Sequence, residues 1–120
     1  MALAHSYPER LPGVIPPTDF GAAGPLELLP LDDARFPAVG LVREAARLGA
    51  PYPAVLNAAN EEAVGAFLEG RLPFKEIVPL GRATLDAYSG GHAATLDQIL
   101  QADRWAREQA QARIARTSVP

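Results

Sequence analysis

A chain of 120 residues is long enough for one modest domain, but its 12 prolines and 10 glycines are unevenly spread, which predicts that only part of it packs. With 11 basic residues against 14 acidic ones the net charge is -3, which gives no electrostatic basis for gripping a phosphate backbone and excludes nucleic acid as an expected partner. The absence of cysteine excludes disulfides, thiolate metal sites and cysteine nucleophiles. No apolar run approaches the roughly 20 residues that span a bilayer, and the amino terminus lacks the basic and apolar regions of a signal peptide. A soluble, cytoplasmic protein with no membrane partner is the expectation.

Along the chain, Pro8, Pro12, Pro16, Pro17, Pro25 and Pro30 fall together with Gly13, Gly21 and Gly24. Each proline removes a donor and restricts the residue before it, so no long helix fits here and an extended arm over residues 1–35 is predicted. Only Pro25 to Pro30 has the look of a strand, one that its prolines would confine to an edge. The arm's apolar residues Leu11, Val14, Ile15, Phe20, Leu26, Leu28 and Leu29 suit it to lie against another body.

The first bundle helix starts at Pro37, with Ala38, Leu41, Val42, Ala45 and Leu48 at helical spacing and Arg43, Glu44 and Arg47 on the opposite face. Asp32 and Asp33 can complement its amino end, and Gly49 followed by Pro51 stops it. A second helix, introduced by Pro51 and Pro53 and ended near Gly70, has the apolar set Leu56, Ala59, Ala63, Val64, Phe67 and Leu68. A third begins around Pro73 and uses Ile77, Leu80, Leu85 and Tyr88, and Pro79 predicts a kink or a split within it. The fourth starts at a capping box, Thr95 with Gln98 three residues on, and carries the stripe Leu96, Ile99, Ala102, Ala106, Ala110 and Ile114. Its alanine-rich second half predicts last turns that fray or rest against something outside this chain. Short connections favour antiparallel neighbours. The predicted fold is therefore mainly α, a small antiparallel four-helix bundle over 36–116 behind an extended proline-rich arm, with a disordered tail over 117–120.

Chemistry is sparse. The histidines are His5, in the arm, and His92, after Gly90 and Gly91, and neither sits in a motif that would make it a base or a ligand. The adjacent pairs Asp32–Asp33 and Glu61–Glu62 diverge by about 100 degrees on a helix and serve poorly as shared ligands. Trp105 lies between Arg104 and Arg107, but Asp103 and Glu108 cancel that charge, and a solvated helix shoulder is the expectation. No phosphate-cradling glycine motif is present.

The informative segment is Leu56, Asn57, Ala58, Ala59, Asn60 and Glu61. Asparagine is a poor helix former, and two of them three residues apart, with Glu61 four after Asn57, share one helix face. This predicts buried amides that bond backbone groups of neighbouring segments, the alternative on residue chemistry being a polar ligand site. Replacing either by Leu would then cost about 1 to 3 kcal/mol per buried partner.

Three segments, YPERLPGVIPPTDF, LPLDDARFPAVGLVREAARLG and AVLNAANEEAVGAFLEGRLPFKEI, together resemble the carboxy-terminal region of 1-deoxy-D-xylulose 5-phosphate reductoisomerases. The likeness extends from about Ala2 to Ala110. It implies a parent that uses NADPH and Mg2+, Mn2+ or Co2+ to make 2-C-methyl-D-erythritol 4-phosphate in non-mevalonate isoprenoid synthesis, as a homodimer. It also implies that an amino-terminal NADPH-binding domain and a central metal-binding domain are this chain's partners. No catalytic, cofactor-binding or metal-binding position of the family has a match here, so no cofactor is expected on this chain and no activity from it alone. The resemblance makes Leu56 to Glu61 a structural signature and the chain a partial product, the linker plus the bundle. The alternative is a stand-alone helical protein-interaction module.

Overall fold

In the computed structural model, residues 2–22, 24–93 and 95–117 are described. They contain five α-helices and no strand: α1 (Ala2–Ser6), α2 (Pro37–Leu48), α3 (Tyr52–Leu68), α4 (Ile77–Ala87) and α5 (Leu96–Thr117). The chain divides into two compact units, residues 1–30 and 31–120.

The first unit holds α1 and a series of turns. The helical turn at its start departs from the expected arm. In one turn Asp19 Oδ1 accepts the amides of Gly21 at 2.9 Å and Ala22 at 3.3 Å, an Asx arrangement that replaces secondary structure. The strand expected over Pro25 to Pro30 does not form. Its end prolines offer no N–H, and among the described residues no second strand exists to pair with it.

The second unit is a bundle of α2 to α5, with α3 packed against each of the other three. Proline stands in the first turn of α2 and of α3, where its missing donor costs nothing. Asp32 acts ahead of α2: its Oδ1 accepts the Arg35 amide at 3.0 Å and its carbonyl accepts the Phe36 amide at 2.9 Å. α3 closes with a complete Schellman motif. Gly70, at φ +73°, donates to the Phe67 carbonyl at 2.9 Å, and Arg71 donates to that of Ala66 at 2.8 Å.

Pro79 neither kinks nor splits a helix. A 3₁₀ turn over Phe74–Glu76 precedes α4, so Pro79 falls in the first turn of α4, among the amides that lack an intrahelical acceptor anyway. The Thr95 capping box forms in both directions. The Thr95 amide donates to Gln98 Oε1 at 3.1 Å, and the Gln98 amide donates to Thr95 Oγ1 at 3.3 Å. α5 then runs through Thr117, whose hydroxyl donates to the Arg113 carbonyl, one residue past the expected end of the bundle at 116 and into the expected tail. Residues 118–120 of that tail lie outside the described residues.

Two apolar clusters make the core. Leu41, Ala45, Val55, Leu56, Ala58, Leu85, Ala102 and Ala106 form one. Ala59, Ala63, Ala66, Leu72, Ile77, Leu80, Ala110 and Ile114 form the other. The α3 stripe differs from the sequence expectation: Ala66 is buried, whereas Phe67 and Leu68 are exposed. The α3–α5 contact selects small side chains, so bulk is turned outward. Trp105 is likewise no solvated shoulder. It is half-buried with its ring 5.1 Å from that of Tyr88, and Tyr88 meets Tyr52 at 5.5 Å.

Candidate functional site

The signature segment occupies the second and third turns of α3. Leu56, Ala58 and Ala59 point into the core, and Asn57, Asn60 and Glu61 are exposed. The expected burial of the two amides is therefore wrong for this unit. Their face of α3 has no neighbouring backbone to bond, because α2 and α4 close over Leu56 below them and leave the amides at the rim.

What they rim is a groove of about 290 Å³. Its floor is Leu41, Leu56 and Gly81, and its walls include Ala38, Val42 and Ala45 from α2 and Val78 from α4. Gly81 sets the depth. A Cβ there would come within 3.2 Å of Leu56 Cδ1 and 3.9 Å of Leu41 Cδ2. The α2 stripe read from the sequence is thus only partly used: Leu41 and Ala45 are buried, whereas Ala38 and Val42 remain on the open groove.

The amides differ in commitment. Asn57 Nδ2 donates to Glu61 Oε1 at 2.9 Å, leaving its Oδ1 open, and Asn60 makes no side-chain hydrogen bond among the described residues. In isolation neither amide holds the fold. The Leu substitutions that burial would have made costly should change stability by no more than about 0.5 kcal/mol, as read by urea unfolding of the purified chain.

Beside the groove a charge cluster links α3 to α5. Arg107 donates through Nη2 to Glu61 Oε2, through Nη1 to Glu62 Oε1 at 3.2 Å, and through Nε to Asp103 Oδ2 at 2.9 Å. Adjacent Glu61 and Glu62, which diverge too far to share a small ion, do share this cation because a guanidinium is a wide, planar fork. A second cluster ties α2 to α4, with Arg82 bridging Glu44 and Asp86.

Hydrogen bonding from Arg82 holds the Glu44 carboxyl below its usual value, and Arg107, then Asn57, does the same for Glu61. Carboxylates with depressed native pKa values bind fewer protons folded than unfolded, so their contribution is present above the ordinary carboxylate range and lost as pH falls through it. The melting temperature should therefore fall as pH drops below about 4.5, the ordinary value for these groups. An R82Q/R107Q variant should lose part of that acid dependence. An unchanged acid limb in differential scanning calorimetry would assign it to other groups.

His92 lies 6.1 Å from the Tyr52 ring and His5 is exposed in α1. Among the described residues no group of three acidic or histidine side chains is placed to hold a metal ion, Glu61, Glu62 and Asp103 being gathered on Arg107, and no helix is long and apolar enough to cross a membrane. The described residues supply no donor set for a divalent cation, and the groove has no cation to meet a dinucleotide phosphate.

The bundle is thus an all-helical unit, among the described residues, with a shaped apolar groove rimmed by Asn57 and Asn60. The family model described as the DXP reductoisomerase C-terminal domain matches residues 1–109. The reductoisomerase of Thermomicrobium roseum is 50% identical over 111 residues, covering 92% of this chain and 29% of that protein. That of Mycolicibacterium smegmatis is 46% identical, covering 99% of this chain and 30% of that protein. Among solved structures, the Zymomonas mobilis reductoisomerase in complex with NADPH superposes at a TM-score of 0.82 with 34% identity, over 94% of this chain and 30% of that one. A reductoisomerase structure with NADPH, fosmidomycin and magnesium gives 0.78, at 35% identity, over 95% of this chain and 30% of that one. The chain belongs to the DXP reductoisomerase family as its C-terminal domain, and it spans about 30% of the length of the relatives it matches.

Proposed function

We propose that this chain works as the C-terminal part of an enzyme that converts 1-deoxy-D-xylulose 5-phosphate to 2-C-methyl-D-erythritol 4-phosphate with NADPH and a divalent metal. The match over residues 1–109 carries this reading. The carboxylates that the described residues gather, Glu61, Glu62 and Asp103, are committed to Arg107, so the chemistry is assigned to the portion of the relatives that lies outside this chain, and the domain's task is structural. Within it, Leu56 to Glu61 is assigned as the segment that braces the bundle against that portion. The working form is a cytoplasmic homodimer with no nucleic-acid or membrane partner, and residues 1–35 serve as the linker into the bundle over 36–116.

A full-length protein tests this reading. The part of the Thermomicrobium roseum enzyme that precedes its matching segment, joined to this chain, should oxidise NADPH in a reaction that needs both 1-deoxy-D-xylulose 5-phosphate and Mg2+, and this chain alone should not. A joined protein that folds without turning over would overturn the reading. It would favour the stand-alone interaction module, for which the exposed apolar residues Leu11, Ile15, Phe20, Leu26 and Leu28 speak.

A further inference from the structure

The groove on α2, α3 and α4 is open, apolar and uncharged, and its rim is two asparagine amides. We infer that it is a seat for one uncharged, non-helical segment of the reductoisomerase polypeptide that precedes this chain, with an apolar side chain in the groove and its peptide groups on Asn57 and Asn60. This rests on the function proposed above.

The chemistry of the rim selects the occupant. Asn57 keeps a free acceptor and Asn60 a free donor and acceptor, the complement of a peptide group. The two lie one helical turn apart, about 4.5 Å along the axis, so both reach a chain laid across them. A helix as occupant could meet the amides only through polar side chains, because its mid-helix backbone groups are already paired. A loop or extended segment has them free. A phosphorylated ligand is disfavoured because no cation lines the groove, and the charges nearby are committed: Glu61 to Arg107, and Arg82 to Glu44 and Asp86. A volume of about 290 Å³ holds a large apolar side chain with its flanking backbone.

The source follows from length. This chain covers only 29% and 30% of the two relatives compared, which leaves more than two thirds of each outside it. Asparagines placed in mid-helix against their propensity, above a groove that the bundle leaves unfilled, fit contact with that polypeptide.

Cysteine labelling reads the seat directly, because this chain has no cysteine of its own. Val42 is 58% exposed on the groove wall, so V42C should leave the isolated chain folded and react freely with a maleimide. In the joined full-length protein, labelling at that residue, followed by peptide mass spectrometry, should slow by about tenfold or more. Labelling of E108C, on the exposed face of α5, should keep its rate. V42D should lower the melting temperature of the joined protein while leaving that of the isolated chain unchanged.

Equal labelling of V42C in both proteins, with turnover intact, would overturn the inference and leave the proposed function standing. Loss of turnover in a folded joined protein carrying wild-type Val42 would remove the proposed function and this inference with it. Protection of V42C already present in the isolated chain, together with a dimeric mass, would give the groove to a second copy instead. Protection of V42C that appears only on adding NADPH or substrate would make it a ligand site. Either result overturns the seat.

Discussion

Leu85→Ala should be the most damaging single truncation in the bundle, destabilising it by about 2 to 5 kcal/mol and lowering its melting temperature by at least about 10 °C. Leu85 is 3% exposed and belongs to the cluster of Leu41, Ala45, Val55, Leu56, Ala58, Ala102 and Ala106. Three of the helix partners in that list are alanines from α3 and α5, which have no side-chain freedom with which to fill a void. The cavity left by losing the isobutyl group would stay open, which places the cost in the upper part of the range. Folded domains hold about 0.05 to 0.15 kcal/mol per residue, so a unit of this size has little to spare. Urea unfolding followed by helical circular dichroism gives the number. Leu100→Ala, at a residue 44% exposed on α5, is the comparison and should cost far less. Equal losses for the two would mean that the Leu85 cluster is not the core of the unit.

Much of this arrangement was legible because helix ends are written in local chemistry. Thr95 with Gln98 was readable as a capping box, and both of its hydrogen bonds form. Gly49 and Gly70 marked helix ends, and both have positive φ. Pro79 reads as a break only if α4 is started at Pro73, four residues before its first turn. Once the 3₁₀ turn at Phe74–Glu76 takes the residues before Ile77, the same proline falls where a helix tolerates it. Phe67 and Leu68 were assigned inward by hydrophobicity alone. No local rule reports that α5 approaches so closely that Ala66 is preferred there.

The candidate site was legible in a different sense. Asn57 and Asn60 stand out in the sequence as residues that a plain packing helix does not need, and the structure places both, exposed, at the rim of the groove. Their burial was misjudged because the sequence shows a demand for partners without showing whether the partners belong to the same chain. The α2 stripe carried the same ambiguity. Ala38 and Val42 have core-like spacing with Leu41 and Ala45, yet the bundle covers only the latter two. Periodicity finds an apolar face but not its occupant.

Ala106→Leu should destabilise the bundle by about 1 to 3 kcal/mol without changing the intrinsic preference of α5 for helix, since alanine and leucine are both strong helix formers. Ala106 is fully buried with Ala58 and Ala102, and the next cluster along continues the pattern with Ala59, Ala63, Ala66 and Ala110. Such a seam allows close helix approach, and separation between packed helices depends on the side chains at the contact. Three added carbons at its middle must either push α5 away from α3 or force neighbours out of their rotamers. Trp105 is the chain's only tryptophan, and it stacks edge-on to Tyr88 beside this position. Its fluorescence therefore reports the displacement directly. Separation of the helices should expose the indole and shift its emission to the red, while helical circular dichroism stays close to that of the parent. Ala112→Leu, on the exposed face of α5, adds the same atoms to the same helix and should change stability by no more than about 0.5 kcal/mol. If Ala106→Leu proves as silent as Ala112→Leu, the helices are not held at the distance that the alanines permit, and close packing is not why this seam excludes larger residues.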